Sequence, residues 1–208
     1  VESALDVLRE ASDFELDLIG ENPGKVDGIK ISLLDEDHEV RFRKRLPEGV
    51  RLYTGDDFNY APLIAGDGER HSHALLGIFA AIAPAASQAL EALAGGDLDR
   101  YNSLFAPTVP LSREIFKAPT RFYKAGIAFL SWLNGYQTHF IMPGGFQSSR
   151  EISHYAEVFR LADQARLGDA VWERALEVGD GADTAGVGRM GRVVQALSRQ
   201  GPITVGFG

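Results

Sequence analysis

The stretch "VDGIKISLL" (residues 26–34) predicts a β-strand buried on both faces, with a single lysine, Lys30, in its middle. A buried lysine loses hydration, and its pKa falls unless a partner keeps the ammonium charged. Lys30 therefore either extends to water at a strand end or serves as a reactive neutral amine. The local pattern by itself favours the first of these two interpretations.

The stretches around this strand alternate between helical and extended patterns. They predict a helix at 1–20, the strand at 26–34, a helix at 35–46, a strand at 49–55, a short helix at 56–66 and a strand at 71–77. This order is typical of a parallel βαβ sheet or barrel. From residue 78 onward the pattern is helical, with helices predicted at 78–94, 97–116, 120–134, 147–167 and 189–200.

These patterns predict an α/β protein in which about three strands, belonging to a parallel sheet or to an incomplete (β/α)8 TIM barrel, precede a helical C-terminal extension. If the strands belong to a barrel, we expect residues 1–95 to form its C-terminal part and residues 96–208 to form the extension. A complete barrel needs about 250 residues, and three strands cannot close one. The first residue is Val1 rather than methionine, so we expect a processed, truncated or cloned piece of a longer chain.

Composition excludes several classes of function. The net charge is −8, which argues against a nucleic-acid backbone or an anionic membrane as partner. The longest apolar stretch, at 74–86, is too short to span a bilayer and contains Pro84. The chain has no cysteine, which excludes disulfides and thiolate nucleophiles. No secretory signal is visible, so we expect a cytoplasmic location.

The stretch "YTGDDFN" (53–59) is the next candidate for chemistry. Gly55 at a strand end lets the backbone approach a ligand, and Asp56 or Asp57 can cap the helix that follows. The two carboxylates could instead bind a metal. Helix capping is the interpretation we favour for at least one of them.

The stretch "GDGERHSHALLG" (66–77) contains His71 and His73 on either side of Ser72. On a strand the two histidines share a face, which is a metal-ligand spacing, but we find no strong third ligand and expect no metal. No nucleophile elbow accompanies the serine. The glycine-rich "GVGRMG" (186–191) does not follow a strand, so we expect neither a dinucleotide nor another cofactor.

Four stretches together resemble the C-terminal half of the dihydrodipicolinate synthase and N-acetylneuraminate lyase superfamily, in particular an uncharacterised dihydrodipicolinate synthase-like branch. They are "GIKIS" (28–32), "LPEGVRLYTGDD" (46–57), "GDGERHSHALLG" (66–77) and "APTRFYKAGIAFLSWLNG" (118–135). The resemblance implies a barrel with a helical extension. It also implies a class I aldolase or lyase, in which a lysine condenses with a 2-oxo acid such as pyruvate.

The resemblance assigns roles to particular residues. "GIKIS" falls where the superfamily has its Gly-x-Lys strand, so the catalytic role falls on Lys30, and with this resemblance the Schiff-base interpretation becomes the favoured one. "TGDD" falls at a strand end that lines the pocket, which implies substrate contacts at Gly55, Asp56 and Asp57. The histidine-containing segment replaces a Gly-x-Ile-Ser segment, so Ser72 and His73 become candidates for substrate specificity.

The sequence departs from the superfamily pattern at important points. A proton-relay tyrosine and a threonine-containing loop that binds the substrate carboxylate would both lie before Val1. We therefore expect this chain to be inactive alone. Two alternatives stay open: a metal-dependent barrel hydrolase or lyase using His71 and His73, and a non-catalytic fragment. The superfamily often forms dimers or tetramers, which implies a homo-oligomer.

Overall fold

The computed structural model of the chain describes residues 3–165 and 167. It divides into two compact units, residues 1–77 and 78–208. The predicted helix at 189–200 and the glycine-rich "GVGRMG" lie outside the described residues. Within residues 3–165, no helix has both the length and the apolar character that a bilayer crossing requires.

The first unit alternates helices and strands, as the sequence predicts. Its elements are α1 (Ala4–Glu21), β1 (Gly28–Ile31), α2 (Glu36–Arg45), β2 (Arg51–Thr54), α3 (Tyr60–Ala65) and β3 (His73–Ala74). The strands form one parallel sheet in the order β1-β2-β3. Parallel neighbours require a crossover connection, and α2 supplies it between β1 and β2.

Local chemistry explains where α1 and α2 begin. The Ser3 hydroxyl accepts the Asp6 N–H, and the Asp6 carboxylate accepts the Ser3 N–H, which together form a capping box. Asp35 caps α2 by accepting the His38 N–H at 2.9 Å. Acidic residues occupy the first turn of α2 and basic residues its last turn, which complements the helix dipole.

The core of the first unit lies on one face of the sheet. Apolar side chains from α1, α2 and the strands form one buried cluster, namely Leu16, Ile19, Ile31, Phe42, Leu46, Val50 and Leu52. Removing such side chains from water supplies most of the folding free energy. This packing fixes which face of each strand turns inward.

The second unit is helical throughout its described residues. Its α-helices are α4 (Phe79–Ala94), α5 (Leu98–Phe105), α6 (Val109–Phe116), α7 (Tyr123–Leu133) and α8 (Ile152–Gln164). Short 3-10 segments lie at Ala106–Thr108, Thr120–Phe122 and Pro143–Ser149. The stretch predicted as one helix over 97–116 is divided into α5 and α6, with Pro107 and Pro110 at the two new starts.

Aromatic side chains fill part of the second core. Phe129 contacts Trp132, Phe140 and Tyr155, with ring centroids 6.1, 5.5 and 5.1 Å away. Such tilted and edge-on arrangements stabilise beyond the burial of area alone. Arg150 reinforces this unit, because its guanidinium donates to the backbone carbonyl oxygens of residues 117–119.

The predicted fold class, an incomplete (β/α)8 barrel with a helical extension, is wrong. The structure is a helix-rich α/β protein whose sheet, within the described residues, has three short strands of four, four and two residues. The alternation of strands and helices is common to barrels and to open parallel sheets. The alternation therefore predicted the βα units correctly, but it did not distinguish a closed barrel from an open sheet.

Candidate functional site

The strand register places Lys30, Tyr53 and His73 side by side across the sheet. Lys30 pairs with Tyr53 and Tyr53 pairs with His73, in parallel register. Because side chains alternate along a strand, these three project from the face opposite the buried Ile31 and Leu52. The sheet therefore carries an amine, a phenol and an imidazole on its open face.

Lys30 itself is exposed, in contrast to the interior position that a strand buried on both faces implied. Its stem lies against Gly55, since a Cβ atom added there would be 2.6 Å from the Lys30 Cε and closer still to the Ser32 hydroxyl. A glycine is therefore required at position 55 because the Lys30 and Ser32 side chains approach it closely, and not because of an unusual backbone angle. Within residues 3–165, the structure records no hydrogen bond or ion pair for the Lys30 ammonium.

The loop after β1 adds a strained residue to this end of the sheet. Leu34 adopts a φ of 55°, in the left-handed region that β-carbon sterics disfavour. It lies between β1 and Asp35, the residue that caps α2. Functional groups of parallel α/β proteins gather at the carboxyl ends of strands, where Lys30, Ser32 and Gly55 lie.

Asp56 holds the turn that precedes α3. Its Oδ1 accepts the N–H groups of Phe58 and Asn59 at 2.8 and 2.9 Å, and its Oδ2 accepts the Asn59 side-chain amide at 2.9 Å. The N-cap residue of α3 is Asn59, and no side-chain hydrogen bond caps this helix, so the helix-capping role predicted for one of the two carboxylates is not observed. Asp57 is also buried, with 5% of its surface exposed.

Ser72 faces away from Lys30, on the buried side of the sheet. Its hydroxyl donates to the Glu39 Oε1 at 2.7 Å and accepts from the Arg43 Nη1 at 3.1 Å. The Thr54 hydroxyl donates to the other Glu39 oxygen at 2.9 Å. Burial raises the pKa of Glu39, and the two hydroxyl donors oppose that rise.

Arg43 extends this buried network. It donates to the Leu63 carbonyl oxygen at 3.1 Å and forms an ion pair with Asp67 at 3.2 Å. Two backbone N–H donors and Arg43 lower the pKa of Asp67 to about 2. Arg43 is only 2% exposed, although it stands in the basic run "RFRKR" (41–45).

His73 lies in a groove at the amino-terminal half of β2 and β3. The groove has a volume of about 440 Å³ and is lined by His71, His73, Arg51 and neighbouring residues. Partial burial lowers the pKa of His73, and the neighbouring His71 and Arg51 lower it further. These effects favour the neutral form of the imidazole.

Tyr53, Asp27 and Arg51 form a polar cluster that sequence reasoning missed. The Tyr53 hydroxyl donates to Asp27 at 2.6 Å, and Arg51 pairs with the other oxygen of Asp27 at 2.6 Å. The Tyr53 and His73 rings lie 5.6 Å apart. The alternation of side chains along β2 could have assigned Tyr53 to one face of the sheet. Its position beside Lys30, however, follows only from the register between β1 and β2.

The two histidines lie close enough to act together. Their ring centroids are 4.9 Å apart. Within the described residues, however, no group of three or more His, Cys, Asp or Glu side chains is arranged to hold a metal ion. A pair of imidazoles alone falls short of the three protein ligands that catalytic zinc sites use.

Comparison with known proteins identifies the family. A family model described as "Protein of unknown function (DUF993)" matches residues 4–177, which is most of the chain. The chain belongs to the DUF993 family. The match includes all three strands and α1 to α8. No curated protein matches the chain. The DUF993 description states no activity, so function must be argued from the geometry of the sheet.

Proposed function

We propose that this protein is a class I lyase or aldolase, in which the Lys30 amine forms a Schiff base with a 2-oxo acid such as pyruvate. One observation carries the proposal: an accessible lysine without an ion-pair partner in residues 3–165 lies at the carboxyl end of a parallel sheet, packed against Gly55. The resemblance of "GIKIS" and "TGDD" to the dihydrodipicolinate synthase-like branch supports the same role for these residues.

The chemistry requires the unprotonated amine. The neutral Lys30 nitrogen attacks the ketone carbon, and the resulting carbinolamine loses water to give an iminium ion. That ion accepts the electron pair when the adjacent C–C bond breaks, or stabilises the carbanion equivalent when the bond forms. Hydrolysis then releases the 2-oxo acid and restores the amine.

The neighbouring groups are suited to moving protons. His73 carries an imidazole, and Tyr53, in register with both Lys30 and His73, carries a phenol whose hydroxyl donates to Asp27. Neighbouring strands are about 4.8 Å apart, so backbone positions 30 and 73 are separated by about 10 Å, with Tyr53 between them. In this proposal Gly55 and Asp57 shape the pocket, and His73 contacts the distal part of the substrate.

The resemblance implies substrate contacts for Asp56 and Ser72, but in this proposal both residues have other roles. The Asp56 carboxylate holds the turn that precedes α3, and Ser72 is bound to Glu39 and Arg43. Both residues then act by positioning: Asp56 holds the chain after Gly55, and Ser72 holds the strand that carries His73.

Borohydride trapping tests the proposal directly. The chain is incubated with pyruvate and borohydride, which traps the Schiff base and requires no turnover, and the modified residue is found by intact mass and peptide mapping. We expect one reduced pyruvyl group on Lys30, absent from Lys30→Arg and retained in Lys25→Arg, a matched exposed lysine. An adduct on another lysine, or none at all, would end the proposal in favour of a non-catalytic role.

The metal-dependent alternative has less support. It keeps the His71 and His73 imidazoles, but the described residues offer no third ligand in reach. Stoichiometric zinc or manganese in the purified protein, lost on His73→Ala, would favour this alternative.

A further inference from the structure

Helix α1 exposes a second apolar stripe, separate from the face that packs on the core. The stripe consists of Ala4, Val7, Ala11, Phe14 and Leu18, spaced alternately by three and four residues. All five are exposed, and for Val7, Phe14 and Leu18 the exposed fractions are 53%, 69% and 51%. This spacing is that of the a and d positions of a coiled coil. A helix is therefore the kind of structure that fits the stripe.

The stripe is distinct from the buried side of α1. The buried residues Ser12, Leu16 and Ile19 lie on another face of the helix. Folding of the first unit thus accounts for one apolar face of α1 but not for the other. Soluble domains rarely leave a contiguous apolar surface of this kind without an interaction partner.

The charged residues that flank the stripe are all acidic. With Ala11 and Leu18 at a positions, Glu10 and Asp17 occupy g positions and Glu15 an e position. Within the described residues, none of the three carboxylates forms an ion pair. Their negative charges are available for a partner.

The same charges disfavour a second copy of this chain as the occupant. In an antiparallel pair of α1 helices, Glu10 would face Asp17 of the other copy. In a parallel pair, Glu10 would face Glu15 of the other copy. Both orientations place like charges together along the contact, which opposes association.

We propose that α1 docks an amphipathic helix of another protein, with apolar residues at heptad spacing flanked by Lys or Arg. The apolar stripe supplies the binding area, and the carboxylates select a basic helix over an acidic one. Residues Glu10, Asp17 and Glu15 are the specificity determinants.

Two synthetic helical peptides provide the test on the whole chain. Both have the same apolar stripe over about three heptads, and one carries Lys and the other Glu at the e and g positions. By calorimetry or anisotropy we expect the Lys peptide to bind at least about tenfold more tightly. Its binding should weaken as salt is raised.

Variants of α1 test which of its residues bind the peptides. Phe14→Ala with Leu18→Ala should weaken binding of the Lys peptide about tenfold or more. The control Leu5→Ala removes an equally exposed leucine (66%) outside the stripe and should leave binding unchanged. Glu10→Lys with Asp17→Lys should reverse the preference between the two peptides. Circular dichroism checks that each variant is folded.

Three outcomes would overturn the proposal. Equal binding of both peptides would remove the role of the carboxylates, and binding of neither would remove the docking site. A dimer in light scattering that Phe14→Ala dissociates would make a second copy the occupant instead.

Discussion

The Ser72 hydroxyl donates a hydrogen bond to the Glu39 carboxylate at 2.7 Å, although 33 residues separate them in the chain. The contact joins the residue before β3 to the first turn of α2. Thr54 at the end of β2 donates to the same carboxylate at 2.9 Å. One buried acid therefore ties two strands and the helix that connects β1 with β2.

Removing the Glu39 side chain should destabilise the protein strongly. Glu39→Ala leaves the Ser72 and Thr54 hydroxyls without their acceptor in a buried site, and we expect a loss of about 3 kcal/mol. Urea unfolding measures it. The control Asp37→Ala removes an exposed acid from the same helix and should cost less than about 1 kcal/mol. Equal effects of the two substitutions would contradict the role of the network.

The raised pKa of Glu39 predicts a pH-dependent part of the stability. Because its folded pKa lies above the ordinary value of 4.5, the folded state binds this proton more tightly than the unfolded state. The resulting contribution is complete below pH 4.5 and is lost as pH rises through the folded pKa.

Glu39→Gln removes this titration and isolates its effect. We expect the stability of the wild type relative to Glu39→Gln, measured by urea unfolding, to decrease as pH rises above 4.5 through the raised folded pKa of Glu39. A stability difference between wild type and Glu39→Gln that does not change with pH would show that Glu39 has the same pKa in the folded and unfolded states.

The stability of the second unit should change with pH in the opposite direction, because of His154. Burial lowers the pKa of His154, whose Nδ1 lies 2.7 Å from the Glu114 carboxylate, and that carboxylate opposes the shift. The His154 Nε2 is buried without a hydrogen-bond partner among the described residues. Nearby Arg150 and Lys117 also disfavour the imidazolium.

The expected result is a loss of stability on acidification. Above the ordinary pKa of 6.5 the contribution of neutral His154 is complete, and it is lost as pH falls from 6.5 through the lowered folded pKa. Thermal unfolding of His154→Gln should show a flatter dependence on pH in this window. His139→Gln replaces an exposed histidine and serves as the control. The same pH slope in wild type and His154→Gln would refute this assignment.

Gly55 and Gly20 should respond oppositely to alanine. A Cβ at Gly55 would overlap the Lys30 stem at 2.6 Å and approach the Ile31 carbonyl oxygen at 3.0 Å, so Gly55→Ala should cost about 2 kcal/mol. Gly20 lies in α1 with no atom within 4 Å, so Gly20→Ala should stabilise by about 1 kcal/mol. Thermal unfolding compares the two variants.

The same pair also examines the proposed site. Displacement of the Lys30 stem should reduce borohydride trapping of pyruvate in Gly55→Ala but not in Gly20→Ala. Full trapping in Gly55→Ala would show that contact with this glycine does not orient the amine.

The sequence by itself determined the local elements of the described residues. Helical periodicity located α1 and α2, and the alternation of patterns located the βα units. These features depend on residues within a few positions of one another, whose interactions a single sequence displays.

Only the tertiary structure decided how the elements combine. The open three-stranded sheet, the exposure of Lys30 and the alignment of Tyr53 with Lys30 and His73 all depend on strand register. So does the burial of Arg43 and Ser72 around Glu39. Register and burial arise from contacts between residues twenty or more positions apart, and periodicity within one element carries no information about its neighbour across the sheet.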